Sequence, residues 1–200
     1  MHGGFFQNGK LRSVLTIQEL RIPEVKLITV DRFGDDRGFF SETYHRQRFF
    51  DAGITTEFLQ DNQSFSEAVF TVRGLHMQAP PFAQAKLVRV TRGRIRDICV
   101  DVRCGSPSFG QWVSAEISAR QWNQIYVPAG FLHGFVTLEP DTEVQYKVSA
   151  HYDRASELGV LWNDPVLKID WGISGAAALS SKDAALPAFH ELQSPFVYNP

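Results

Sequence analysis

Short strand-like segments recur along most of this chain, separated by glycine, proline, aspartate and serine. Within the segment 94–103, Ile98, Val100 and Val102 alternate with more polar residues, as expected of a strand buried on one face. Residues 93–94 lie between two such segments and predict a tight hairpin turn. Many short strands at this spacing are typical of an antiparallel sandwich or barrel, so a mainly β fold is predicted. The predicted strands cover residues 25–33, 86–93, 94–103, 112–118, 124–128, 134–139 and 143–152.

Helical patterns are few and short. One helix is predicted over residues 45–53, where Gly53 ends it. A second is predicted over residues 180–189, with Ser180 or Ser181 as its N-cap and a proline that ends it early.

The length of 200 residues is that of one domain with a good core. We assign residues 16–200 to this domain. Residues 1–15 lack a regular pattern and are assigned to an N-terminal arm, with flexibility as one interpretation.

Composition argues against several kinds of partner. The chain is 44% hydrophobic and 21% charged, with a net charge of −2, so there is no basic excess of the kind that duplex nucleic acid requires. No apolar run reaches the roughly 20 residues of a membrane helix, and the first residues lack the apolar stretch of a signal peptide. A cytoplasmic protein is therefore expected. Cys99 and Cys104 are expected to be free thiols, because two cysteines make neither a metal site nor a disulfide framework.

A histidine motif follows one of the predicted strands. Pro128, Gly130 and His133 form a P-x-G-x-x-H pattern, which is similar to the second motif of the cupin barrels. In that group the first motif supplies two histidines and a glutamate to a metal, whereas this chain offers only His76 and Gln78. We therefore expect no metal ion.

The pattern also predicts a lysine inside the fold. Lys86 shares the strand phase of Val88 and Val90, so it should point inward, and an inward lysine requires an ion pair or a function. Histidine, lysine and tyrosine in a pocket without metal suit proton abstraction beside a carbonyl group. The histidine takes the proton, a cation stabilises the enolate oxygen, and the tyrosine returns a proton. Spacing alone does not show that these side chains converge.

A series of motifs in order resembles the dTDP-4-dehydrorhamnose 3,5-epimerases and related dTDP-4-keto-6-deoxyhexose epimerases. The motifs are DDRGFFSE (35–42), LQDNQS (59–64), RGLHMQ (73–78), AQAKLVRVTRG (83–93), VDVRCGSPSFGQW (100–112), VPAGFLHGF (127–135), EVQYKV (143–148), WNDP (162–165) and SSKD (180–183). The resemblance implies a cupin-type double-stranded β-helix, or jelly roll, with a few short helices. It also implies an isomerase that needs no cofactor and forms a homodimer.

The resemblance assigns four catalytic residues. His76 would be the general base with Asp183 as its carboxylate partner, Tyr146 the general acid, and Lys86 the group that stabilises the enolate. Taken alone, Asp183 would be a first-turn helix residue and Tyr146 an ordinary inward strand residue.

The resemblance also implies a binding set for the dTDP-sugar. Its members are Arg37, Glu42, Gln60, Asn62, Arg73, His133, Glu157 and Lys182, with Tyr152 stacking on the thymine. Strict alternation places Arg73 and His76 on opposite faces of a strand, and a bulge at Gly74 would bring both into one cleft. Met77 stands where relatives often carry an aromatic residue, next to the base.

The implied reaction is epimerisation of dTDP-4-keto-6-deoxy-D-glucose at C3 and C5 through an enolate, in dTDP-L-rhamnose or related deoxysugar biosynthesis. A monoepimerase acting only at C3 or only at C5 is an alternative, since the same catalytic residues would serve. A non-catalytic cupin that binds a nucleotide-sugar is another, although a binder has no need of all four catalytic residues. A metal-dependent cupin is a third, and it would hold stoichiometric metal.

Overall fold

Antiparallel strands form most of the structure, a computed structural model that describes residues 6–7, 10–11 and 15–200. The strands are β1 (Phe6–Gln7), β2 (Lys10–Leu11), β3 (Leu15–Glu19), β4 (Lys26–Val30), β5 (Phe33–Asp35), β6 (Gly38–Phe40), β7 (Gln60–Ser66), β8 (Val72–Gln78), β9 (Lys86–Arg92), β10 (Arg94–Asp101), β11 (Trp112–Ser118), β12 (Asn123–Val127), β13 (Phe131–Thr137), β14 (Thr142–Val148) and β15 (Glu157–Gly159). The helices are α1 (Arg46–Asp51), α2 (Ser181–Ala184) and a 3-10 helix at Phe189–Glu191. In the part of the chain that is described, no helix is long and apolar enough to cross a membrane.

The predicted N-terminal arm, residues 1–15, lies mostly outside the described residues. Its described parts are β1 and β2, which pair with each other, and Leu15, which begins β3. β3 then pairs with β4 and so forms the edge of a sheet.

Two antiparallel sheets face each other. One has six strands in the order β3-β4-β12-β9-β14-β7, and the other has five in the order β11-β10-β13-β8-β15. Val88, Ile125 and Val144 from the first sheet pack against Cys99 and Phe135 from the second, so a hydrophobic core lies between them. The predicted cupin-type jelly roll with a few short helices is confirmed.

The predicted hairpin at residues 93–94 is wrong. Gly93 connects β9 in the six-stranded sheet to β10 in the five-stranded sheet, so the chain turns a corner between sheets there. Gly93 has a φ of 81°, and a Cβ at this position would lie 2.3 Å from Thr142 Oγ1. Only glycine fits this corner without strain.

The prediction that β10 is buried on one face is also wrong, because both faces are buried. Ile95 and Cys99 belong to the core between the sheets, whereas Ile98 and Val100 belong to a second core on the outer side of the five-stranded sheet. The C-terminal part of the chain covers that outer side through residues such as Trp171. The period of two in β10 therefore separates residues of two hydrophobic cores, not a core face from a solvent-exposed face.

Both predicted helices are present but shorter than expected. The first spans Arg46–Asp51, with His45 as N-cap and Gly53 just beyond the C-cap. The second spans only Ser181–Ala184, with Ser180 as N-cap.

Candidate active site

A cleft lies between the two sheets, where inward side chains of β8, β9, β13 and β14 converge. It comprises a larger cavity of about 520 Å³ and a smaller cavity of about 240 Å³. His76, Lys86 and Tyr146 line both cavities. The prediction that Lys86 points inward is therefore confirmed, and three of the four residues assigned to catalysis meet where the cavities join.

His76 is paired with Asp183, the fourth of these residues. His76 Nε2 lies 2.7 Å from Asp183 Oδ1, and the side chain of Asp183 is buried at the start of α2. Burial alone would raise the pKa of Asp183, but hydrogen bonds from His76, Ser180 and the backbone of Gly74 outweigh it and lower this pKa. A charged Asp183 holds a proton on Nε2 of His76 and leaves Nδ1 as the basic ring atom.

A bulge in β8 brings Arg73 and His76 to the same cavity. Between the pairs His76↔His133 and Arg73↔Phe135, β8 advances three residues while β13 advances two. Gly74 lies in this interval with a φ of 134°, and a Cβ there would lie 2.9 Å from the carbonyl oxygen of His133. The predicted bulge at Gly74 is confirmed, since Arg73 and His76 both line the larger cavity.

Lys86 is connected to a buried aspartate through His133. Lys86 Nζ lies 3.4 Å from His133 Nδ1, and His133 Nε2 lies 2.9 Å from Asp97 Oδ2. The thiol of Cys99 also donates to Asp97, over 3.7 Å. Burial lowers the pKa of Lys86 to about 8, although the negative charge of Asp97 opposes the shift. Burial likewise lowers the pKa of His133, so this ring is neutral and accepts from the ammonium group while it donates to Asp97.

Tyr146 lies on β14, directly opposite Asn62 of β7 and Val88 of β9. Burial raises the pKa of Tyr146, and the nearby charge of Arg73 only partly offsets this effect. The phenol therefore keeps its proton near neutral pH and can act as a proton donor.

Several residues of the predicted binding set line the cleft around these groups. Gln60 and Asn62 line the smaller cavity and are joined by a 2.8 Å hydrogen bond from Gln60 Nε2 to Asn62 Oδ1. Arg73 lines the larger cavity, where its guanidinium donates to Ser66 Oγ over 3.2 Å and to the carbonyl oxygen of Phe65 over 2.9 Å.

Glu157 links the edges of the two cavities. It accepts a 3.0 Å hydrogen bond from the Tyr152 hydroxyl and a 2.6 Å hydrogen bond from Lys182 Nζ. Burial would raise the pKa of Glu157, but Lys182 and Tyr152 lower it overall. Tyr152 and Glu157 line the smaller cavity and Lys182 the larger one.

Two predicted binding residues are not brought to the cleft. Arg37 lies at the turn between β5 and β6, is largely exposed, and forms an ion pair with Asp35. Glu42 accepts a 2.6 Å hydrogen bond from Arg48 Nη1. Neither Arg37 nor Glu42 is among the residues that line the two cavities.

The structure adds Asp97 to the residues found from the sequence. Asp97 is fully buried behind His133, but it alternates with apolar residues along its strand and therefore resembled a solvent-facing position. The inward direction of Lys86 could have indicated a buried acidic residue such as Asp97, because a buried ammonium group requires a buried carboxylate nearby. Across the described residues, no group of three or more His, Cys, Asp or Glu side chains is placed to hold a metal ion.

The fold and the cleft define a cupin-type protein with a histidine–aspartate pair, a buried lysine and a protonated tyrosine in one cavity. The family model for dTDP-4-dehydrorhamnose 3,5-epimerase matches residues 19–191. The chain belongs to the dTDP-4-dehydrorhamnose 3,5-epimerase family, whose members are isomerases, and the predicted family is confirmed.

Individual relatives agree with this membership. A dTDP-4-dehydrorhamnose 3,5-epimerase from Sinorhizobium fredii is 49% identical over 181 residues, which cover 90% of this chain and 93% of the relative. The crystal structure of a dTDP-4-dehydrorhamnose 3,5-epimerase from Bacillus anthracis, with TDP and PPi bound, has a TM-score of 0.85 and 44% identity over 88% of this chain and 100% of that chain. The crystal structure of dTDP-6-deoxy-D-glucose-3,5-epimerase from Legionella pneumophila, in complex with dTDP-4-keto-L-rhamnose, has a TM-score of 0.89 and 38% identity over 94% of this chain and 100% of that chain.

Proposed function

We propose that this chain epimerises dTDP-4-keto-6-deoxy-D-glucose at C3 and C5, in dTDP-L-rhamnose or related deoxysugar biosynthesis. Membership of the family supports the reaction. The observation that carries the mechanism is the 2.7 Å contact between His76 and Asp183, in a cleft that Lys86 and Tyr146 also line. A base, a cation and an acid are the groups that inversion beside a ketone requires.

His76 removes the proton from the carbon beside the C4 ketone. Because Asp183 keeps the proton on Nε2, Nδ1 is the atom that accepts the hydrogen from carbon. The imidazolium that forms is stabilised by the charged carboxylate of Asp183. The electron pair of the broken C–H bond forms a double bond between that carbon and C4 of the sugar. The π electrons of the C4 carbonyl move onto its oxygen, which becomes the negatively charged enolate oxygen.

Lys86 stabilises that oxygen. Its ammonium group is held by the neutral His133, so a positive charge is already in place before the enolate forms. Such a preorganised donor contributes about 3–4 kcal/mol to transition-state stabilisation.

Tyr146 returns a proton to the opposite face of the carbon, and this step inverts the centre. Because the pKa of Tyr146 is raised, the phenol is still protonated when the enolate forms and can donate its proton to the carbon. After each cycle the phenolate is reprotonated and His76 loses its proton to solvent. The same cycle at the second carbon completes a double epimerisation.

The remaining residues bind the nucleotide part. Arg73 and Lys182 supply positive charge for the phosphates, as cations at hydrogen-bonding distance do in other proteins. Tyr152, which is 58% exposed, offers its ring for stacking on the base. Gln60, Asn62 and Glu157 line the smaller cavity, where polar groups can orient the ligand, and His133 braces Lys86.

A homodimer would explain the position of Arg37. The hairpin of β5 and β6 carries Phe39 and Phe40, both more than half exposed, next to Arg37. A second copy would cover this apolar hairpin and could receive Arg37 and Glu42 in its own cleft. We further propose that residues 16–200 act as one domain in the cytoplasm, where the unpaired Cys99 and Cys104 are compatible with a reducing environment.

Two other functions compete with double epimerisation. A monoepimerase acting only at C3 or only at C5 would use the same four residues, so the number of exchanged hydrogens distinguishes it. A non-catalytic cupin that binds a nucleotide-sugar would bind without any exchange.

Solvent exchange tests the proposal directly. The wild-type protein, incubated with dTDP-4-keto-6-deoxy-D-glucose in D₂O, should introduce deuterium at C3 and C5, as observed by NMR. His76→Ala should abolish the exchange and leave dTDP binding largely intact, whereas the exposed His190→Ala serves as a matched control that retains it. Exchange at one carbon only would establish the monoepimerase, and binding without exchange would establish the non-catalytic cupin.

A further inference from the structure

Tyr152, the proposed partner of the nucleotide base, lies in the segment 149–156 that connects β14 to β15. Backbone hydrogen bonds of Ser149 and Ser156 hold the two ends of this segment, over 3.1 Å and 2.8 Å, against the residues that connect β8 to β9. Tyr152 lies between these two ends and is largely exposed. The position of its ring therefore depends on what holds the middle of the segment.

Gln78, the last residue of β8, binds the backbone on both sides of Tyr152. Its Oε1 accepts a 2.9 Å hydrogen bond from the backbone N–H of Asp153, and its Nε2 donates to the carbonyl oxygen of His151 over 3.1 Å. Nε2 also donates to the carbonyl oxygen of Phe82 over 2.7 Å, which fixes the amide group itself. Because His151 and Asp153 flank Tyr152, these bonds set the backbone conformation from which the Tyr152 ring projects.

The amide of Gln78 is fully engaged by the protein. The residue is only 4% exposed, and both N–H groups of Nε2 already donate to carbonyl oxygens. Gln84, near the start of β9, adds a further anchor, since its Nε2 donates to the carbonyl oxygen of Ala150 over 2.7 Å. The two glutamines thus hold three residues in a row around Tyr152 by their backbone.

A binding group that must first become ordered loses affinity, whereas a preorganised group does not. The Tyr152 ring is held at its other end as well, because its hydroxyl donates to Glu157. We propose that Gln78 and Gln84 are positioning residues, which hold the Tyr152 ring in the orientation that binds the nucleotide base. This inference rests on the proposed function and adds the residues that support one of its binding contacts.

The test is a double-mutant cycle in which the affinity for dTDP is measured by calorimetry. Tyr152→Ala should weaken dTDP binding at least about fivefold through the lost stacking. Gln78→Met, which has a similar length and lacks the amide, should weaken it about three- to tenfold in the otherwise wild-type protein. In the Tyr152→Ala protein the same substitution should change the affinity by less than about twofold, because no ring remains to be positioned. Gln193→Met, at an exposed position outside the cleft, is the matched control and should not change the affinity.

The kinetics of deuterium exchange separate positioning from a general loosening of the fold. Gln78→Met should raise KM by a factor similar to the loss of dTDP affinity and leave kcat unchanged. A loosened β8 would lower kcat too, since His76 lies two residues before Gln78 on that strand. Gln84→Ala removes one hydrogen bond at a half-buried position and should weaken dTDP binding about two- to threefold. It provides the same cycle with Tyr152→Ala if Gln78→Met does not fold.

An equal loss of affinity for Gln78→Met with and without the Tyr152 ring would show that Gln78 does not act through this ring, and would overturn the inference. Unchanged dTDP affinity of Gln78→Met, or a lower kcat at an unchanged KM, would overturn it as well. If Tyr152→Ala itself left dTDP binding unchanged, the proposed contact with the base would fail together with this inference. Deuterium exchange by the wild-type protein tests the reaction separately, so a failure of the proposed reaction is recognised independently.

Discussion

The lowered pKa of Lys86 predicts how the activity depends on pH. Burial disfavours the ammonium form of Lys86 and brings its pKa to about 8. The proposed mechanism needs the ammonium form at the enolate oxygen. Since a group with a lowered pKa loses its proton earlier as the pH rises, activity should decline from about pH 8 upward. An unperturbed lysine, with a pKa of about 10.4, would leave the activity constant over this range.

The size of the decline follows from the fraction of charged Lys86. With a pKa of about 8, roughly nine-tenths of the lysine is charged at pH 7 and roughly one-tenth at pH 9. The value of kcat/KM should therefore fall about tenfold between pH 7 and pH 9. Asp97 raises the pKa of Lys86 by its charge, so Asp97→Asn should move the decline to lower pH.

The assay is the pH profile of kcat/KM for deuterium exchange into the sugar. Lys86→Met should lower the rate at pH 7 by about 10²–10³ and remove the decline near pH 8. Lys147→Met is the matched control, since Lys147 pairs with Asp61 outside the proposed machinery, and it should keep the decline. A wild-type profile that stays level to pH 9.5, or a decline near pH 8 that persists in Lys86→Met, would refute the assignment.

Three further substitutions probe the base, the acid and the bulge. Asp183→Asn should reduce exchange about 10²–10⁴-fold with the fold intact, because an amide can hold the His76 ring in the wrong tautomer; exchange within tenfold of wild type would contradict this. Tyr146→Phe should still introduce deuterium but fail to give inverted product, and normal inversion by NMR would mean that another group is the acid. Gly74→Ala should lower the free energy of unfolding in urea by at least about 2 kcal/mol, because its Cβ would lie 2.5 Å from the Cα of Gly134; an unchanged midpoint would show that the bulge can relax.

Local patterns predicted some of the fold and missed the rest for identifiable reasons. The strand at Trp112–Ser118 was predicted with its observed bounds, because the turn residues 105–110 precede it and Val113, Ala115 and Ile117 give it a period of two. The corner at Gly93 was predicted as a hairpin because a tight turn between two strands looks the same in the sequence whether or not the strands pair. The burial of both faces of β10 was missed because Asp97 and Asp101 suggested solvent, whereas each is buried with hydrogen-bonding partners.

The candidate site shows a similar division. The inward direction of Lys86 came from strand phase, and the bulge at Gly74 from the conflict between Arg73 and His76. The partner of His76 could not come from spacing, because Asp183 follows it by 107 residues and only the resemblance connected them.

The sequence by itself predicted β4 and β9 to β14, the presence of a glycine turn at residue 93, and the set of chemical groups available for proton transfer, since these depend on short-range alternation and on residue identity. The tertiary structure decided which strands share a sheet, which polar groups leave water, and how far burial lowers the pKa of Lys86. Those properties depend on contacts between residues far apart in the chain, so they exist only once both sheets have closed around the cleft.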